Sequence, residues 1–187
     1  MTIVLGVLGF IVAWLIFTFN KLVSLKNQVA NAFKQIDVQL KRRYDLIPNL
    51  VNAVKGYMKF EQATLEKVIQ ARNQALSSTG AGVKQRAQNE GQLTQALGRL
   101  FALAESYPDL KANQNVRSLM EELAHTENQV SFSRQLYNDL VTRFNTAQQT
   151  FPNNFVAGTF GFSSAELFEI PEDRAAEREV PKVNLGD

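Results

Sequence analysis

The feature that most constrains this chain is its opening stretch. Residues 1–20 carry no charged side chain, and residues 3–19 run almost unbroken through Val, Leu, Ile, Phe, Ala and Gly with one Trp. At about 1.5 Å per residue, about 20 such residues match the roughly 30 Å hydrocarbon core of a bilayer. Two other readings compete. The core helix of a soluble domain is seldom apolar on every face. A cleaved signal peptide has a basic region before its apolar run and small residues after it, whereas nothing basic precedes this run and Asn20-Lys21-Leu22-Val23 follows it. The sequence therefore predicts a retained transmembrane anchor over residues 1–20, held by side chains such as Ile3, Leu8, Phe10, Trp14, Phe17 and Phe19. Gly6 and Gly9 permit close approach of a neighbouring helix, although their spacing is not the Gly-x-x-x-Gly dimer pattern.

Charge sets the expected orientation. After the anchor come Lys21, Lys26 and Lys34, then Lys41-Arg42-Arg43, against Asp37 alone. The positive-inside rule places the N-terminus outside a bacterial plasma membrane and residues 21–187 in the cytoplasm. Lys21, Lys26 and Lys34 are the candidate contacts to anionic headgroups or to a partner, each adding on the order of 1 kcal/mol within a Debye length of the lipid. Arg42-Arg43 lies too far along the chain for a twin-arginine signal and reads as a solvated helix face. With 20 basic against 18 acidic side chains, the chain lacks the concentrated basic footprint of a nucleic-acid binder.

The remaining residues, enough for one compact domain, are patterned for helices. Leu22, Leu25, Val29, Ala32/Phe33, Ile36 and Leu40 alternate at three and four, between many Asn and Gln. Asp45 and Pro48 read as an N-cap and first turn, so a second helix is expected from about residue 46 to 77. The apolar pattern stays in phase across Pro48, and one long kinked helix is the alternative. Ser77-Ser78-Thr79-Gly80-Ala81-Gly82 is a loop. A third helix follows over about 83–106, with Leu93, Leu97, Leu100, Phe101 and Ala104 on its face. Tyr107-Pro108-Asp109 ends it, and a fourth runs over about 113–149. No segment alternates at period two. The expected fold is all-α: a transmembrane helix, then an antiparallel four-helix bundle with coiled-coil-like packing over residues 21–150.

Phe151, Phe155, Phe160, Phe162 and Phe168 then alternate with Gly158, Gly161 and Ser163-Ser164. This spacing predicts an irregular aromatic strap over residues 151–170. Its rings either dock on the chain's own bundle or form the contact between subunits of a homo-oligomer, since an exposed aromatic patch marks an association surface. Residues 171–187 are acidic and predicted to be disordered.

Several of these segments carry a resemblance. The run Ile36-Asp37-Val38-Gln39-Leu40-Lys41-Arg42-Arg43-Tyr44-Asp45-Leu46-Ile47-Pro48-Asn49-Leu50-Val51, preceded by Asn20-Lys21-Leu22-Val23 and followed by Val54-Lys55-Gly56-Tyr57, resembles the LemA family. Thr126-Glu127-Asn128, Tyr137-Asn138-Asp139, Phe144-Asn145 and Phe151-Pro152-Asn153-Asn154 resemble it too, so that coverage runs from about residue 3 to 170. The resemblance implies a single-pass membrane protein with a soluble antiparallel four-helix bundle. It favours separate helices over one long one and implies no enzyme mechanism.

The residues themselves offer little chemistry. With no cysteine there is no thiolate site. Glu122-Leu123-Ala124-His125 has the spacing of a di-iron half-site, but that centre needs a second Glu-x-x-His, and His125 is the single histidine. No Gly-x-Ser-x-Gly elbow occurs, and Gly80-Ala81-Gly82 lacks the Lys-Ser/Thr ending of a phosphate loop. The expectation is no catalytic residue, no metal and no cofactor. The leading reading is a non-enzymatic, self-associating membrane scaffold that meets lipid and further copies of itself through bundle and strap. A monomeric adaptor for a membrane or cytoplasmic protein such as a protease or sensor comes second, and an enzyme of unknown type third.

Overall fold

The computed structural model describes residues 1–169. Of these 84% are helical, and no strand occurs among them. In chain order the elements are α1 (Thr2–Val54), α2 (Gln62–Ser77), a 3-10 turn (Ser78–Gly80), α3 (Val83–Ala104), α4 (Pro108–Ala112), α5 (Gln114–Gln149) and α6 (Asn153–Thr159). They fall into two compact units, Met1–Asp45 with Glu122–Leu167, and Leu46–Glu121 with the chain from Phe168. The acidic tail expected over 171–187 lies outside the described residues.

The expected start of a second helix near Asp45 and Pro48 is corrected. α1 is one helix from Thr2 to Val54 with Pro48 inside it. The proline removes one backbone hydrogen bond, which favours a break. Burial on both sides outweighs that, because Tyr44, Ile47, Leu50, Val51 and Val54 are all in the core. The chain turns instead after Val54, whose carbonyl accepts from the N–H groups of Tyr57 and Met58 at 2.9 and 3.0 Å. Met58 fills the turn with a buried side chain, while Phe60 is 96% exposed.

In the first unit α1 and α5 run antiparallel. The Phe33 ring lies 5.5 Å from that of Tyr137, and Arg43 Nε lies 2.6 Å from Glu127 Oε1, so partner numbers fall along α5 as they rise along α1. Leu22, Val29, Ala32, Ile36 and Leu40 are buried on α1, and Leu123, Val130, Tyr137, Val141 and Phe144 on α5. This is the three-and-four stripe of two helices sharing one seam. Thr126, Ser133 and Gln148 continue the α5 stripe with polar side chains. Thr126 Oγ1 donates to the Glu122 carbonyl at 2.8 Å, so its burial leaves no donor exposed to an apolar surrounding.

In the second unit α2 and α3 pack as a helical hairpin through Leu65, Val68, Ala71 and Ala75 on one side and Leu93, Leu97, Leu100 and Ala104 on the other. Arg86 and Glu90 are buried one turn apart on α3. Asn113 caps α5, its Oδ1 accepting from the backbone N–H of Asn115 at 3.0 Å and Val116 at 3.2 Å. Its Nδ2 donates to Tyr57 Oη at 2.8 Å, and the Tyr107 hydroxyl donates to Glu61 Oε1 at 3.2 Å.

Candidate membrane-interface site

The start of α1 is apolar on every face and uncovered. Among the described residues it is the one helix long and apolar enough to cross a membrane, and only 6% of its most apolar 18-residue window is buried. Ile3, Leu8, Phe10 and Phe17 are exposed, as lipid-facing side chains of an anchor are. Trp14 and Phe19 are half-buried because they pack against a small cluster made by Leu22, Val156 and Ala157. Gly6 and Gly9 have open space where a side chain would stand. Lys21, Lys26 and Lys34 follow, all exposed, and Lys26 Nζ sits 6.0 Å from the centre of the Phe162 ring, within cation–π range.

The strap is docked in cis on this same stretch. After α5 the chain forms α6, which corrects the expectation of a wholly irregular segment. The buried positions of α6 are Val156 and Ala157, so the phenylalanine spacing was not the spacing of its packed face. Gly161, at φ +67, then turns the chain back in a conformation that glycine adopts without steric cost. Phe162 returns to within 5.8 Å of Phe19 and 6.4 Å of Phe144. Asn145 exchanges two hydrogen bonds of 2.9 Å with the backbone of Ala165. The Tyr137 hydroxyl donates to the Glu166 carbonyl at 2.8 Å. Burial, and then the negative charge of Glu166, raise the Tyr137 pKa above its ordinary value.

The five strap phenylalanines therefore divide. Phe162 is half-buried in the first unit, and Phe168 has no exposed surface and so offers none to another chain in this conformation. Phe151, Phe155 and Phe160 face outward. Phe151 and Phe155 meet edge to face at 6.0 Å, and Phe160 lies 4.9 Å from Phe19.

The reading of Arg42-Arg43 as a solvated pair is corrected for Arg43, which is fully buried against Glu127. Position 43 falls three residues after Leu40 and four before Ile47, on the seam itself, and that phase was legible in the sequence. Arg42 is solvated but paired, its Nη2 2.8 Å from Glu122 Oε1. Glu122 thus faces an arginine, and His125 three residues on is exposed. Among the described residues no group of three or more His, Cys, Asp or Glu is placed to hold a metal ion. The second unit has an open cleft of about 450 Å³, lined by Pro48, Val51, Lys55, Leu65, Glu66 and Ile69 among others. Sequence reasoning did not find it, because it lies beside the turn after Val54 that was expected elsewhere.

Residues 32–185 match the sequence model of the LemA family. A relative named Protein LemA, from Metamycoplasma hominis, is 29% identical over 153 residues, which cover 82% of this chain and 69% of the relative. Magnetosome protein MamQ 2 of Paramagnetospirillum magneticum is 24% identical over 190 residues, covering 89% of this chain and 70% of its own. Magnetosome protein MamQ of Magnetospirillum gryphiswaldense is 22% identical over 189 residues, covering 88% and 69%. None of these names is that of an enzyme.

Proposed function

The chain belongs to the LemA family, and from that premise and the geometry above we propose that it is a non-enzymatic scaffold, anchored by α1 in a bacterial inner membrane and self-associating through its helices. One observation carries this reading: α1 passes without a break from its uncovered apolar stretch into the packed seam with α5. A flexible linker would leave the helical part free of its anchor. A continuous helix instead fixes its height and rotation, so that anchors brought side by side align their helical faces. Gly6 and Gly9 leave room for such an approach. Val38 and Phe132 are both 65% exposed, and the pairing of Phe33 with Tyr137 sets them level across the seam, which supports them as contacts between copies.

Lys21, Lys26 and Lys34 meet anionic headgroups on the cytoplasmic side, with the N-terminus outside. Mass measurement of the full chain in mild detergent and in native-membrane discs tests self-association, with one discrete species larger than the monomer expected. A monomer in both would replace the scaffold by the adaptor, for which the cleft beside Pro48 and Leu65 is the candidate contact. A reporter active only in the cytoplasm, fused after Asp187, is expected to be active. Activity from a periplasmic reporter alone would reverse the orientation.

A further inference from the structure

Three phenylalanines at the end of the first unit point away from the protein while the backbone between them is held down. Phe151, Phe155 and Phe160 are 75%, 65% and 58% exposed. A phenylalanine presents about 150–250 Å², so the three offer roughly 400 Å² of apolar surface, the size at which an exposed patch marks a contact. Val156 and Ala157, on the other side of α6, are buried with Leu22 beneath Trp14, Phe19, Ala147 and Phe162. The segment is held in place and uncharged. Residues 144–165 hold no Asp, Glu, Lys or Arg, with Arg143 before and Glu166 after them.

The position of α6 says what covers the patch. It packs along α1 between Trp14 and Leu22, and the Phe160 ring meets that of Phe19 at a tilt at the end of the apolar run. Trp14 to Phe19 is five residues, or about 7–8 Å of helix rise. An interfacial helix lies with its apolar face about 5–10 Å into the headgroup and acyl boundary. Lys21 and Lys26, on the far side of Phe19, begin the charged region. We infer that α6, with Phe151 and Phe160 at its ends, is a second membrane contact, lying in the leaflet from which α1 emerges with its three outward rings in lipid. The inference rests on α1 being the anchor, and any chain so anchored already has lipid at this level. A second copy would have to be brought there.

Depth-dependent quenching tests it on the full chain in phosphatidylcholine and phosphatidylglycerol vesicles. Trp14 is the sole tryptophan, so Trp14→Phe clears the background for Phe155→Trp, with Phe151→Trp as an independent second probe. Phe60→Trp, at the fully exposed position of the second unit, is the aqueous reference. The expected result is blue-shifted emission at 155 and 151 that loses most of its intensity to lipids brominated high on the acyl chain, with none lost at 60. Water-like, unquenched emission at 155 and 151 would overturn the inference. So would blue-shifted emission that bromine does not reach, since protein would then cover the rings. The anchor is read separately in the unsubstituted chain. Release of the protein by alkaline carbonate, with Trp14 unquenched, fails the anchor itself, whereas a quenched Trp14 beside unquenched probes overturns this inference alone.

Discussion

Consider the loss of the carboxylate from Glu127. The Arg43 side chain is fully buried and its Nε lies 2.6 Å from Glu127 Oε1, while Glu127 keeps 18% of its side chain exposed. Glu127→Ala takes this carboxylate from a guanidinium that has no exposed surface, and breaking a buried pair this way costs about 3–5 kcal/mol. Arg43→Met leaves behind a carboxylate that still touches solvent and puts a methionine in the phase of Leu40 and Ile47, so its cost is smaller. With a urea slope of about 1–3 kcal/mol per molar, Glu127→Ala lowers the unfolding midpoint by about 2 M. The double variant Arg43→Met/Glu127→Met returns most of that, because an apolar pair of similar volume replaces a buried ion pair at little net cost. Circular dichroism of the full chain in mild detergent reads all three midpoints. Equal shifts for the two single variants, or a double variant as unstable as Glu127→Ala, would refute the reasoning.

Two further outcomes follow from single side chains. Because the Tyr137 pKa is raised, its neutral form is the one the fold favours. The stability it contributes is therefore full below its unfolded value of about 10 and is lost as pH climbs through the higher folded value. Tyr137→Phe should cost about 1 kcal/mol at pH 8, seen as a lower melting temperature, and the difference from the wild type should vanish above the folded pKa. A difference that persists at high pH would show that the hydroxyl's bond to Glu166 is not its source. His125→Ala, at an exposed position, should change neither assembly nor metal content. Stoichiometric iron or zinc in the purified wild type, lost in the variant, would restore the metal reading.

Helix type and phase were legible in the residues, and so were the ends near 77, 83, 104, 114 and 149, each within two residues of its expected place, whereas the break expected near residue 46 was not there. The stripe from Leu22 to Leu40 and the face of α3 lie where the three-and-four spacing put them, because one buried face per helix imposes that period. The end of α1 was misplaced because Pro48 is a strong local signal and Gly56 a weaker one. Local propensity lost at Pro48 to burial of the residues around it. The seam's polar members escaped for a related reason. Thr126, Ser133, Gln148 and Arg43 fall in phase, but a reading keyed to apolar residues passes over them. In the strap the aromatic count drew attention to the rings, and the packed face of α6 is instead the small pair Val156 and Ala157.

The polar seam and the membrane contact are linked through register. Two apolar stripes with a three-and-four repeat can slide past each other by seven residues and still bury leucine against valine. Such a slip would set Arg43 opposite Met120 or Arg134 in place of Glu127, leaving a buried guanidinium beside a thioether or a second guanidinium. Either costs several kcal/mol, so the Arg43–Glu127 pair selects one register, which is the best-attested use of a buried polar group between helices. The selection matters because α6 follows α5 after only a few residues. A slip of seven would carry α6 about 10 Å along α1, more than the distance from Trp14 to Phe19. Phe151, Phe155 and Phe160 would then stand either deep in the hydrocarbon or out in water. The buried ion pair near residue 43 thus sets the depth of three rings more than twenty residues away, and Glu127→Ala should loosen that depth as well as the fold.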